Sequence, residues 1–209
     1  MNLKLTKYKK AVQIIQKGGI VAYPTETFYG LGVDALNFRA VERLFKIKKR
    51  PSSKPISIII PNINWLKYLI KEVPPLAQTL IEKHWPGPLT IVFAAKEIFP
   101  KELTADTGKI GIRISSHPWA QKLAQLAKTP ITATSANLSG TPPPNSPQEI
   151  NPHIKKQIDA ILDGGLTKGG LPSTVIDVTV NPPIILRKGA IELANLDWTK
   201  MKIRHKLLL

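Results

Sequence analysis

Two cations one residue apart, Lys48-x-Arg50, with Lys54 just beyond, are the first residues of this sequence suited to chemistry. Lysine offers a point charge, and arginine a planar fork that matches two oxygens of a phosphate. They stand at the expected C-terminal end of a helix, before Pro51 and an apolar run. A second reading is structural, because a helix C-terminus favours cations through its dipole. AYPTETFYGLG (22–32) closes an apolar segment with Thr25, Glu26, Thr27 and two glycines. Hydroxyls and backbone amides at a strand end suit a small polar ligand, and glycine lets the backbone approach it closely. An ordinary turn is the alternative. ITATSANLSG (131–140) likewise gathers Thr132, Thr134, Ser135, Asn137 and Ser139 at a strand end. It serves a nucleotide or an amino acid, or it caps the next element. Arg113 lies inside the apolar IGIRIS and needs a partner, since buried charge is costly. A substrate carboxylate would serve, and so would Glu26 or Asp177. PSTVID (172–177) opens a strand with hydroxyls, and Arg187 follows in ILRKG.

These groups are cations and hydroxyls, with little acid. Such a set does its work by positioning and by neutralising charge. Other chemistries lack their parts. There is no cysteine, which removes disulfides, thiolate metal sites and a cysteine nucleophile. The histidines at 84, 117, 153 and 205 show no ligand spacing. Gly30-x-Gly32-x-x-Ala35 matches a dinucleotide fingerprint formally, but six residues separate Tyr23 from Gly30 and no acidic residue lies in 50–60. DGGLTKGG (163–170) does not have the spacing of a Walker loop.

The elements that must position these residues are legible as an alternation of helices and strands. Helices are expected over 7–17, 38–49, 64–71, 75–83 and 117–128, the last started by Pro118. Strands are expected at IVAY (20–23), ISIII, LTIVFAA (89–95), IGIRI (110–114) and ITATS (131–135), with three further candidates in DAILDGG, STVIDVT and PIILRKG. The class is therefore α/β or mixed α+β, with most candidate residues at strand ends. The chain has 209 residues, 43% of them hydrophobic, enough for one sizeable core. No apolar stretch nears the roughly 18–20 residues of a membrane helix, so a soluble, cytoplasmic protein is expected. The net charge is +16, from 30 basic and 14 acidic residues. That excess suits polyanion partners or anionic substrates, or a solvated basic exterior. A second basic cluster, Lys200, Lys202, Arg204 and Lys206, lies in the last residues.

GGIVAYPTETFYGLGVDA, KKRPSSKPISI, WPGPLTIVF, IGIRISSHP, ITATSANLSG, STVID and ILRKG occur in one order. Together, over roughly residues 8–190, they resemble the YrdC-like family of threonylcarbamoyl-adenylate synthases. The resemblance implies a twisted open sheet flanked by helices, with a basic concave face. It implies condensation of L-threonine, bicarbonate and ATP to threonylcarbamoyl-AMP and pyrophosphate, with Mg2+ accompanying ATP. A separate transferase complex then carries the group to tRNA, giving N6-threonylcarbamoyladenosine. The family's K-x-R and S-x-N signatures are present as Lys48, Arg50, Ser135 and Asn137.

Carried over position by position, Thr25, Arg113 and Ser173 match threonine-side positions, with Thr134 as a further candidate. Lys48, Arg50, Ser135, Asn137 and Arg187 match nucleotide-side positions, with Ser146 as a further candidate. Lys48 and Arg50 are the implied catalytic cations. Residues 1–195 are expected to form a YrdC-like domain of the short, single-domain type, and 196–209 a basic tail. Two other classes are compatible with the residues: an RNA-binding module that uses the basic face, and a carbamoyltransferase that handles carbamoyl-adenylate.

Overall fold

A computed structural model of the protein describes residues 3–193. The basic segment 196–209 lies outside the described residues. The sequence alternates along its first strand, and that alternation decides how the sheet is covered. In β1 (Val21–Pro24), Val21 and Tyr23 pack with Ala11 and Ile15 of α1 (Leu3–Gln16) and with Leu123 and Ala124 of α6 (Pro118–Ala127). Ala22 faces the other way, into a larger cluster with Val41 and Leu44 of α2 (Phe38–Lys48) and Leu80 of α4 (Pro75–His84). Successive strand residues point to opposite faces, so this strand is buried on both sides. This is the mixed α/β architecture expected, a sheet flanked by helices.

Among the described residues the sheet has nine strands, in the order β7-β1-β2-β6-β3-β5-β4-β8-β9. The others are β2 (Tyr29–Gly32), β3 (Ser57–Ile59), β4 (Leu89–Ala94), β5 (Lys109–Arg113), β6 (Ile131–Ser135), β7 (Ala160–Ile161), β8 (Thr174–Asp177) and β9 (Ile184–Arg187). Pairing is mixed. β3 runs parallel to β5 and β4 parallel to β8, while β2, β6 and β3 are successively antiparallel. Three short helices, α3 (Leu66–Leu69), α5 (Lys101–Thr104) and α7 (Pro152–Lys155), complete the order.

Helix α2 begins at Asn37, whose side chain accepts from Ala40 N, and ends at Lys49 in the left-handed conformation with φ 48°. It stops one turn of chain before Pro51, which leaves Lys48 on its last buried position.

YGLG is a strand and not only a turn. It pairs antiparallel with β1, Gly32 opposite Val21 and Gly30 opposite Tyr23. The expectation that both glycines clear space for a substrate is corrected at Gly32. A Cβ there would stand 2.8 Å from Cε1 of Tyr23, so the missing side chain makes room for that ring. Tyr23 is fully buried, and its hydroxyl donates to Thr132 O at 2.8 Å. Gly32→Ala should therefore cost about 1–3 kcal/mol through overpacking. Urea unfolding checks this, and an unchanged midpoint would refute it.

Candidate functional site

The sheet order brings distant polar residues into one row. Crossing from β2 to β9, the row runs Gly30, Ser135, Ser57, Arg113, Thr90, Ser173 and Arg187. Gly30 lies opposite Ser135, Ser57 opposite Ala133, and Val175 opposite Arg187. The row lines a cavity of about 600 Å³. Gly111, inside β5, is needed for its floor, since a Cβ there would meet Ser57 Oγ at 2.7 Å.

Seven of the ten residues singled out from sequence line this cavity: Thr25, Arg50, Arg113, Thr134, Ser135, Ser173 and Arg187. Lys48, Asn137 and Ser146 do not. Lys48 is 1% exposed, and its ammonium is turned beneath the Ser135–Asn137 turn. It donates to Ser135 O and, at 2.6 Å, to Asn137 O. Burial, with the Arg50 charge adding to it, pushes Lys48 down to about 7. Asn137 is a brace in the same turn. Its Oδ1 accepts from Ser135 Oγ and its Nδ2 donates to Thr141 O. Ser146 Oγ is turned to Glu149 Oε1 at 3.3 Å, away from the cavity lining.

Arg50 is held by its own loop, Nε on Lys54 O at 2.9 Å and Nη2 on Pro55 O at 2.8 Å. Arg187 donates through Nε to Ser173 O at 2.9 Å and through Nη2 to Ser173 Oγ at 2.8 Å. Desolvation lowers the pKa of both guanidinium groups, and Arg113 and Arg50 lower that of Arg187 further. Three arginines thus face one cavity and repel one another.

The partner of Arg113 is Glu26, at 3.0 Å between Nη1 and Oε1, with both side chains at most 10% exposed. Asp177, the other carboxylate weighed for it, pairs with Lys109 at 2.9 Å. Glu26 also accepts from Ser115 Oγ through its other oxygen. Arg113 Nε is buried with no hydrogen-bond partner, and the 3.0 Å contact is out of hydrogen-bond alignment. Glu26 therefore offsets the charge of Arg113 but leaves its Nε donor unsatisfied. Thr25 Oγ1 is engaged inside its own turn, donating to Phe28 O at 2.7 Å and accepting from Thr27 N at 3.2 Å.

The structure adds lining residues that sequence reasoning missed. Ser57 and Thr90 sit in apolar strands, where a lone hydroxyl was the one available signal. Asn145, next to Ser146, lines the cavity with a buried Oδ1 that has no partner. Among the described residues no group of three His, Asp or Glu side chains could hold a metal. No described helix is long and apolar enough to cross a membrane.

These features define an α/β protein with a cavity lined by cations and hydroxyls across its sheet. The chain belongs to the Sua5/YciO/YrdC family, whose model, described as "Telomere recombination", matches residues 13–189. It is 41% identical over 198 residues to the threonylcarbamoyl-AMP synthase of Pyrococcus abyssi, covering 95% of this chain and 58% of the relative. It is 37% identical over 193 residues to the putative threonylcarbamoyl-AMP synthase of Methanocaldococcus jannaschii, covering 90% of each. The crystal structure of P. abyssi Sua5 complexed with L-threonine superposes with a TM-score of 0.85 at 40% identity, over 92% of this chain and 56% of that one. The chain thus spans little more than half the length of the P. abyssi relative.

Proposed function

We propose that this protein is an L-threonylcarbamoyladenylate synthase, which turns L-threonine, bicarbonate and ATP into threonylcarbamoyl-AMP, pyrophosphate and water. The observation that carries the reading is the convergence of Arg50, Arg113 and Arg187 on one cavity whose neighbouring carboxylate, Glu26, is already paired. Such a cavity suits a ligand with several negative charges. Threonine, carbamate and triphosphate together supply them. The names of the relatives and the threonine-bound neighbour support the same reading.

The threonine amine attacks bicarbonate or the CO2 derived from it, and a carbamate forms. A carbamate oxygen then attacks the α-phosphorus, and pyrophosphate leaves as its negative charge grows. Arg50 and Arg187 offset that charge, as preorganised cations do in phosphoryl transfer. Arg113 receives the threonine carboxylate. Ser173, Thr134 and the Thr25 turn orient the amino acid. Ser135 faces the nucleotide, on a turn that Lys48 and Asn137 hold from behind. Ser146 has a second-rank claim to the nucleotide, because Asn145 beside it lines the cavity. The donors are cations and hydroxyls, so Mg2+ enters as part of MgATP, on the phosphates. No side chain becomes a covalent nucleophile.

The product would pass to a transferase complex for tRNA modification, and a cytoplasmic setting follows from that reading. Direct RNA contact through the lysine-rich exterior is a separate proposal, tested by tRNA binding that falls steeply with salt. The carbamoyltransferase reading gains no observation of its own.

Arg50→Ala should lower kcat/KM for ATP on the order of 10²-fold, the cost of one preorganised donor. The assay is pyrophosphate release that requires both L-threonine and bicarbonate, with L-serine as control. Turnover without threonine would overturn the proposed function. Near-unchanged turnover of Arg50→Ala would remove Arg50 from the site.

A further inference from the structure

Thr90 lies on β4 in the floor of the cavity, 1% exposed. Among the described residues its side chain has one hydrogen-bond partner, Ser173 Oγ at 3.0 Å. Ser173 Oγ also meets Arg187 Nη2 at 2.8 Å. A guanidinium nitrogen only donates, whereas a hydroxyl has one hydrogen and two acceptor positions. Two arrangements are possible. If Ser173 donates to Thr90, the Thr90 hydrogen is left buried without an acceptor. If Thr90 donates to Ser173, both acceptor positions of Ser173 are filled, and its single hydrogen is free to turn toward the cavity. The second arrangement puts the unpaired hydrogen on Ser173, 6% exposed, where a ligand in the cavity can accept it, and not on Thr90 at 1%, and an unpaired buried donor is the expensive case.

We propose that Thr90 is a positioning residue that fixes Ser173 as a one-way donor to an acceptor oxygen of the bound amino acid. The inference rests on the reading that this cavity takes threonine. Its chemical consequence is directional. Ser173 meets a carboxylate or carbamate oxygen and never the ammonium group, because it has no acceptor position left. Arg187 takes part in the same arrangement, so one cation orients the hydroxyl that reads the amino acid.

The test is L-threonine affinity by calorimetry for the unsubstituted protein, Thr90→Val, Thr90→Ser, Ser173→Ala and the Thr90→Val/Ser173→Ala pair. Thr90→Val keeps the shape and removes the donor. It should weaken binding about tenfold, the size of one oriented hydrogen bond. Thr90→Ser should restore affinity. In the Ser173→Ala background, Thr90→Val should have no further effect, which a structural role would not produce. Thermal melting of each variant confirms folding, and if Thr90→Val does not fold, Thr90→Ala replaces it in the same cycle. An additive pair, or full affinity in Thr90→Val, overturns the inference. Absence of threonine binding in the unsubstituted protein overturns instead the functional reading beneath it.

Discussion

Arg113→Met should melt well below the unsubstituted protein and lose its response to threonine, and Glu26→Gln added to it should recover the first loss and not the second. The reason is the buried pair. Arg113 and Glu26 are 3.0 Å apart and nearly inaccessible to water. Removing one member of such a pair leaves the other as an uncompensated buried charge, which costs about 3–5 kcal/mol. For a chain of this length that corresponds to a fall in melting temperature of roughly 6–20 °C. Neutralising Glu26 removes the stranded charge, and its amide still accepts from Ser115. It does not restore a guanidinium for the substrate carboxylate. Scanning calorimetry reads the first effect and threonine titration the second. If the double variant regains threonine binding, Arg113 is a structural residue only.

Lys48→Met should show the other large effect, on rate and on the pH dependence of stability. Nζ ties the end of α2 to the carbonyls of Ser135 and Asn137, and methionine leaves both carbonyls without that donor. The turn that presents Ser135 then loosens, and kcat/KM should fall on the order of 10²-fold, as for a misplaced catalytic group. The pH dependence follows from linkage. The folded-state pKa of Lys48 is depressed to about 7 from an ordinary 10.5. Between these values the unfolded chain binds a proton that the native chain lacks, so stability rises with pH. The penalty is complete below about 7 and gone above about 10.5. Lys48→Met should abolish this rise, measured as urea midpoints from pH 7 to 10. An equal slope in both proteins would show that the ammonium remains charged throughout. A polyanion bound nearby favours the charged lysine. ATP binding near pH 8 should accordingly take up a fraction of a proton, seen as a calorimetric heat that varies with the buffer.

The parts of the fold that could be read from sequence are those whose side chains carry a period. The α2 stripe of Val41, Leu44 and Phe45, and the apolar runs of β3, β4 and β5, stand where their spacing puts them. β2 was hidden because Gly30 and Gly32 remove the side chains that would show alternation. The four-residue helices α5 and α7 are too short for a helical repeat to show. Strand order was also illegible. The parallel ladder that sets Leu89 against Thr174 joins distant segments, and no local pattern records it. The site shows the same division. Arg50, Arg113 and Arg187 stood out because charge is rare in and beside apolar strands. Thr90 and Ser57 did not, because one hydroxyl among β-branched residues resembles ordinary strand composition. In TPPPNSP the polar neighbours Asn145 and Ser146 are equivalent on paper. The backbone bond from Asn145 N to Glu149 Oε2 helps fix which of them faces the cavity.

The ribbon formed by β8 and β9 carries one edge of the cavity. β9 is exposed along its whole length and, among the described residues, pairs only with β8, and β8 joins the sheet through β4. Ser173 and Arg187 both ride on this ribbon and bond to each other, so it carries its share of the site as a finished piece. Releasing that piece means opening one parallel ladder together with the Lys109–Asp177 pair and the packing of Ile176 in the core. Local openings of this kind need far less free energy than global unfolding. The dissociation rate of the amino acid should then track amide exchange in β4 and β8, and bound threonine should slow that exchange at Thr174 to Asp177 before it is felt anywhere in α1 or α6.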